Sequence, residues 1–137
     1  MFSLENITGI LNSKSYDDSG WVTLAWIRAY ELTGRREYLE RAEQFWLQVM
    51  DQAWDNKCGG GLYWAGDTAG GGLRYKNAIT NELFIMSSMR LHAHANSSAS
   101  AALYLSWARK TWQWLRSSGM ILENGSYVAG GLDGQCR

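Results

Sequence analysis

Arg36-Glu37-Tyr38-Leu39-Glu40-Arg41-Ala42-Glu43-Gln44-Phe45-Trp46-Leu47-Gln48-Val49 is the stretch that decides the fold. Leu39, Ala42, Phe45, Trp46 and Val49 recur at the α-helical period and fall on one face. The pattern Tyr38-Leu39-x-x-Ala42-x-x-x-Trp46 returns as Tyr104-Leu105-x-x-Ala108-x-x-x-Trp112, at an offset of 66 residues. Another helical stretch precedes each copy. Before the first, Trp21, Leu24, Ala25, Ile27 and Leu32 keep helical spacing, and Gly34 supplies a stop signal. The spacing predicts helices over about Asp18–Thr33, Arg36–Trp54, Asn77–Asn96 and Ser100–Ser118. They pair into two helical hairpins. Between them lies the glycine-rich stretch Asp55–Arg74, which reads as a loop and permits a short hairpin around Cys58–Trp64. The Gly-rich chain after Met120 reads as irregular.

The fold class is therefore all-α. A repeat unit buries its apolar face only against its neighbours, which suits a solenoid or a closed α/α toroid. Long glycine-rich loops favour the toroid. Six such hairpins would need roughly 360 residues, so residues 1–137 read as a single partial domain, about a third of a ring.

Composition narrows the function. The 137 residues carry 13 Lys and Arg against 13 Asp and Glu, so there is no basic surplus to bind nucleic acid phosphates or an anionic lipid surface. No run approaches the roughly eighteen apolar residues of a transmembrane segment. Met1–Ser15 shows no basic stretch followed by an apolar one, so no signal peptide is visible. The 8 Trp and 7 Tyr suit a sugar-binding cleft and a large helical core alike. Cys58 and Cys136 allow either two free thiols or one disulfide, and no CxxC metal spacing occurs. Sequons at Asn6, Asn96 and Asn124 permit glycosylation in a eukaryotic secretory route.

Two clusters could carry chemistry. In Tyr16-Asp17-Asp18-Ser19-Gly20-Trp21, two carboxylates stand at a helix start. They could be ordinary capping, with Asp17 as N-cap and Asp18 facing the positive end of the helix dipole. They could equally be a glycosidase pair, since retaining enzymes need two carboxyl groups about 5–5.5 Å apart. The helix start would then keep one carboxylate charged while mutual repulsion lets the other hold a proton. In Tyr75-Lys76-Asn77-Ala78-Ile79-Thr80-Asn81-Glu82, Asn77 or Thr80 could cap the third helix and Glu82 could be a solvated charge. Functionally, Lys76, Asn77, Asn81 and Glu82 offer donors and acceptors to sugar hydroxyls. Trp21 and Trp64 offer platforms for pyranose rings, whereas Trp46, Trp107 and Trp112 are expected between helices. His92 and His94, at i and i+2 of a helix, lie on different faces and make no metal pair. Gly59-Gly60-Gly61 lacks the Lys-Ser/Thr of a phosphate loop, and neither a Gly-x-Ser-x-Gly elbow nor a His-Glu-x-x-His motif is present.

Taken together, Tyr16-Asp17-Asp18-x-x-Trp21, Ala25-Trp26-Ile27-x-Ala29-Tyr30-x-Leu32-Thr33-Gly34, Tyr38-Leu39-x-x-Ala42, Cys58–Trp64 and Tyr75–Leu83 resemble, in order, the motifs of glycoside hydrolase family 76. The resemblance is close over Tyr16–Leu83 and looser over Ala101–Leu115. It implies part of an (α/α)6 toroid and retaining endo-α-1,6-mannanase activity on mannan, without metal or cofactor. It maps the family's nucleophile onto Asp17 and its acid/base onto Asp18. It also implies an extracellular or cell-wall location for the full-length protein. Some fungal members are thought to be cell-wall transglycosylases, so a mannan or GPI-glycan transglycosylase is the alternative. A non-catalytic fragment with weak glycan binding is a further one, because family domains are more than twice this length.

Overall fold

The computed structural model describes residues 15–66, 75–122, 124 and 130–137. The Asn6 sequon, most of Met1–Ser15, part of the glycine loop and the end of the Asn124 sequon fall outside those residues. Among the described residues four α-helices follow one another as α1 (Tyr16–Thr33), α2 (Arg36–Ala53), α3 (Ala78–Ala93) and α4 (Ser98–Ser117). α1 packs on α2 and α3 on α4, giving the two hairpins, and α1 also packs on α3.

The helix boundaries have local causes. α1 starts at Tyr16 rather than Asp18 because the loop holds its first residue: the Tyr16 N–H donates to the Trp64 carbonyl at 2.7 Å, and Ser15 bridges Ala65. α1 stops at Gly34, whose N–H donates to the Tyr30 carbonyl at 2.8 Å. Asn77 caps α3, its Oδ1 accepting the Thr80 N–H at 3.0 Å. Ser97 does the same for α4 toward the Ser100 N–H, so α4 begins earlier than the apolar pattern alone suggests. α3 ends at Ala93, leaving the Asn96 sequon exposed between α3 and α4.

The core is built on the α2 stripe Leu39, Ala42, Phe45, Trp46, Val49 and Ala53, all buried. Trp46 lies at its centre. The ring stacks on Phe84 of α3 at 5.3 Å, meets Tyr104 of α4 edge-on at 4.8 Å, and donates its Nε1–H to Ser88 Oγ at 2.7 Å. Such pairs add about 0.5–1.5 kcal/mol beyond the area they bury. The second copy of the repeat is rotated relative to the first. α4 buries Tyr104, Ala108, Thr111, Trp114 and Leu115, and Trp112 falls off that stripe and is 45% exposed. Trp112 is therefore not packed between helices as its place in the repeat suggested. Trp107 does pack against the core, edge-on to Trp54 and Phe84.

The tail is less irregular than its glycines suggested. Gly131–Leu132 (β2) pairs antiparallel with Lys76–Asn77 (β1), in the register Lys76 to Leu132 and Asn77 to Gly131. Cys136 then forms a disulfide with Cys58, which resolves the choice between thiols and a bridge. Chain past the last helix thus returns to the loop that joins the two hairpins.

Candidate active site

The first turn of α1 presents Asp17, half-buried, and Asp18, exposed. Neither is the N-cap. That position belongs to Ser15, so the capping role considered for Asp17 gives way to a place inside the first turn. There both carboxylates lie near the positive end of the helix dipole. The Asp17 Oδ1 accepts the Asp18 backbone N–H at 3.0 Å, which orients that carboxylate. Trp21 follows Asp17 by one helical turn, on the same side of α1, and is 55% exposed.

The loop following α2 is laid against this turn. Trp64 gives its carbonyl to Tyr16 and takes its own N–H partner from the Tyr75 carbonyl at 2.9 Å. Its ring leans on the Tyr75 ring at 5.5 Å. The starts of α1 and α3 and the segment Leu62–Ala65 therefore share one end of the hairpins, and Asp17, Asp18, Trp21 and Trp64 come together there. The opposite end holds His94, Glu31 and Arg90, in a cluster where the His94 hydrogen bond outweighs burial and, helped by Arg28 and Arg90, keeps the Glu31 carboxyl below its usual range.

Lys76 and Asn81 take different places from those expected. Both are buried, at 1% and 0% exposure. The Lys76 ammonium donates to Asp55 Oδ1 at 2.6 Å, the Lys57 carbonyl at 2.7 Å and the Gly60 carbonyl at 2.6 Å, with the Asp55 carbonyl at 3.3 Å. Asn81 Nδ2 donates to the carbonyls of Leu62 and Asn77, and its Oδ1 accepts the Leu62 N–H. Donors sealed from solvent and engaged by main-chain oxygens have nothing to offer a sugar hydroxyl. Asn77 is buried as well, and its Oδ1 is taken up in capping α3. Glu82, on the following turn, is half-buried.

Asp55, Tyr63 and Trp114 complete this layer, and sequence reasoning missed them. Burial pushes the Asp55 carboxyl up, but hydrogen bonds from Lys76 and Tyr63 and the Lys76 charge outweigh it and hold it below the ordinary range. Trp114 donates its Nε1–H to the Cys58 carbonyl at 2.9 Å. The last glycine of the triplet is explained by the same ring. Gly61 has φ +87°, and a Cβ there would lie 2.5 Å from Trp114. No group of three or more His, Cys, Asp or Glu that could hold a metal ion occurs among the described residues. No helix among them is long and apolar enough to cross a membrane.

The arrangement is thus a carboxylate pair at a helix start, flanked by an exposed indole and a half-buried one, on a clamped loop. The chain has relatives among known proteins. Residues 7–137 match the profile of glycosyl hydrolase family 76. The mannan endo-1,6-alpha-mannosidase DFG5 of Candida albicans is 31% identical over 115 residues, covering 78% of this chain and 24% of that protein. The Lin0763 protein of Listeria innocua superposes with a TM-score of 0.79 at 33% identity, covering 93% of this chain and 34% of the other. The alpha-1,6-mannanase GH76A of Salegentibacter, solved with alpha-1,6-mannotriose as an inactive variant with two adjacent aspartates replaced by asparagine, gives 0.73 at 26% identity, covering 89% and 33%. This chain spans about a quarter of the length of the curated relative, and its hairpins form part of an (α/α)6 toroid. The chain belongs to glycosyl hydrolase family 76.

Proposed function

We propose that the protein to which these residues belong is a retaining endo-α-1,6-mannosidase acting on mannan, with this chain contributing about a third of its toroid and both reacting carboxylates. One observation carries the proposal. Adjacent aspartates stand on the first turn of α1, in a chain similar to a mannanase whose inactive form lacks its own adjacent pair. Asp17, oriented by the Asp18 N–H, attacks the anomeric carbon of a mannosyl unit while Asp18, the more exposed member, protonates the departing oxygen. A covalent glycosyl-enzyme results. Asp18 then takes a proton from water or a sugar hydroxyl, whose oxygen displaces Asp17, and configuration is retained. Two carboxylates suffice for this chemistry, with no metal or cofactor. Trp21 and Trp64 bear on the pyranose rings and Glu82 accepts from a hydroxyl, while Lys76, Asn77 and Asn81 hold the frame. An extracellular or cell-wall location fits the Cys58–Cys136 disulfide and a polysaccharide substrate.

The test uses the full-length protein and α-1,6-linked mannan. Asp17→Asn should abolish turnover and the covalent intermediate. Asp18→Asn should slow turnover by about 10²–10⁴-fold, with partial rescue by azide. NMR of the first-formed anomer should show retention, and the same spectra tell hydrolysis from transfer to a second glycan. Near-normal rates in both variants, or an inverted first product, would overturn the assignment.

A further inference from the structure

The Asp55–Gly60 turn closes on the Lys76 ammonium as loops elsewhere close on a metal ion. Three main-chain carbonyls and one carboxylate oxygen lie within 2.6–3.3 Å of Nζ. The Tyr63 ring faces the same atom at 4.7 Å and the Trp114 ring at 5.9 Å. Three carbonyl dipoles converging on one point repel each other unless a cation stands there, and a buried ammonium is tolerated only where its protons are met. Cage and cation therefore require each other. The cage is also connected to the carboxylates through named bonds. It is followed by Leu62, held by Asn81, then by Trp64, whose carbonyl receives the Tyr16 N–H immediately before Asp17.

We propose that Lys76 is a positioning residue: an internal cation that orders the Asp55–Gly60 turn in place of a bound ion, and through Leu62–Ala65 sets the register of the first turn of α1. The structural claim stands without any assumption about substrate. Only its consequence for turnover rests on Asp17 and Asp18 being the reacting pair.

Lys76→Ala in the full chain empties the cage of its cation and leaves the oxygens in place. Its melting temperature in choline chloride should fall by roughly 10 °C. Ammonium or ethylammonium chloride, which can enter and donate N–H bonds, should restore much of that loss. Tetramethylammonium chloride, equally charged but without N–H donors, should restore none, and the native chain should not distinguish the three salts. Amide exchange at Tyr16 and Trp64 should quicken in the variant and slow again with ammonium, while exchange at Leu115 stays put. Equal effects of ammonium and tetramethylammonium, or Lys76→Met with native melting and native exchange at Tyr16, would overturn the proposal. If Lys76→Ala does not fold in any salt, Asp55→Asn decides. It keeps the carbonyls and the lysine but removes the anionic wall, so exchange at Tyr16 and Trp64 should quicken, and unchanged exchange overturns the idea. None of these readouts involves a sugar, so an unaltered cage and a failed mannanase assignment give different results.

Discussion

Asn81 uses all of its amide on main chain: both Nδ2 protons go to the Leu62 and Asn77 carbonyls and its Oδ1 takes the Leu62 N–H. Asn81→Ala strands those groups in a dry interior. The expected loss is about 2–4 kcal/mol, since each buried unpaired polar group costs about 1–3. A chemical-denaturation series at constant m-value measures it. Asp55 adds a pH dependence. Its carboxyl is held below its ordinary value of 3.8, so its contribution is complete above that value and disappears as pH falls through the lower folded value. Acid melts of the native chain should therefore show a stability loss in that range that Asp55→Asn lacks. The two kinds of residue differ in legibility. The Asp17–Asp18 pair is visible because adjacency in the sequence is adjacency on the helix. Lys76 and Asn81 are visible only as donors. Whether a donor faces solvent or a carbonyl depends on Asp55, Lys57, Gly60 and Leu62, which meet it across the glycine loop.

The elements themselves were largely readable. The α2 stripe from Leu39 to Val49 predicts the face that is buried, and Gly34 ends α1 where a stop signal stands. Three features were not readable, each for a tertiary reason. The start of α1 depends on the Trp64 carbonyl, the rotation of α4 on what α3 presents to it, and the β1–β2 pairing on chain far along the sequence. The close approach of α1 and α3 is a fourth. A Cβ at Gly20 would sit 2.9 Å from the Leu83 Cβ. Neither atom can move without its helix, because both are rooted on backbone. Gly20→Ala improves intrinsic helix propensity by about 1 kcal/mol, but overpacking of this kind costs typically about 1–3. The steric cost should win, with a net loss of up to about 2 kcal/mol. In the full-length protein it should also reduce turnover by tilting the turn that carries Asp17. A Gly20→Ala chain more stable than the native one would show that α1 slides freely on α3.

At the scale of the whole molecule, the 66-residue repeat foretold hairpins that stack on one another, and the fold they share with family 76 proteins has that form. What the repeat could not foretell is how the second hairpin's tail is fastened. Composition left Cys58 and Cys136 open, because pairing depends on a tail path that no local pattern encodes. In the structure they bridge a separation of 78 residues, enclosing Lys76, α3 and α4. Closing a loop of that length in the unfolded chain is worth about 4–5 kcal/mol on the chain-entropy estimate. That is a large part of the roughly 5–15 kcal/mol by which a domain is stable at all. The bridge also fixes the turn around Lys76 from a second side, since Cys58 lies within it. Cys58→Ser with Cys136→Ser should thus lower stability by several kcal/mol. It should also quicken amide exchange at the β1–β2 pairing, while the α1–α2 core around Trp46 exchanges as before. Thermal melts of the native chain with and without dithiothreitol test the first expectation, and residue-resolved exchange the second. If the reduced chain melts like the oxidised one, noncovalent contacts such as the β1–β2 pairing and the Ala78 N–H bond to the Gly130 carbonyl hold the tail, and the bridge is dispensable for the turn around Lys76.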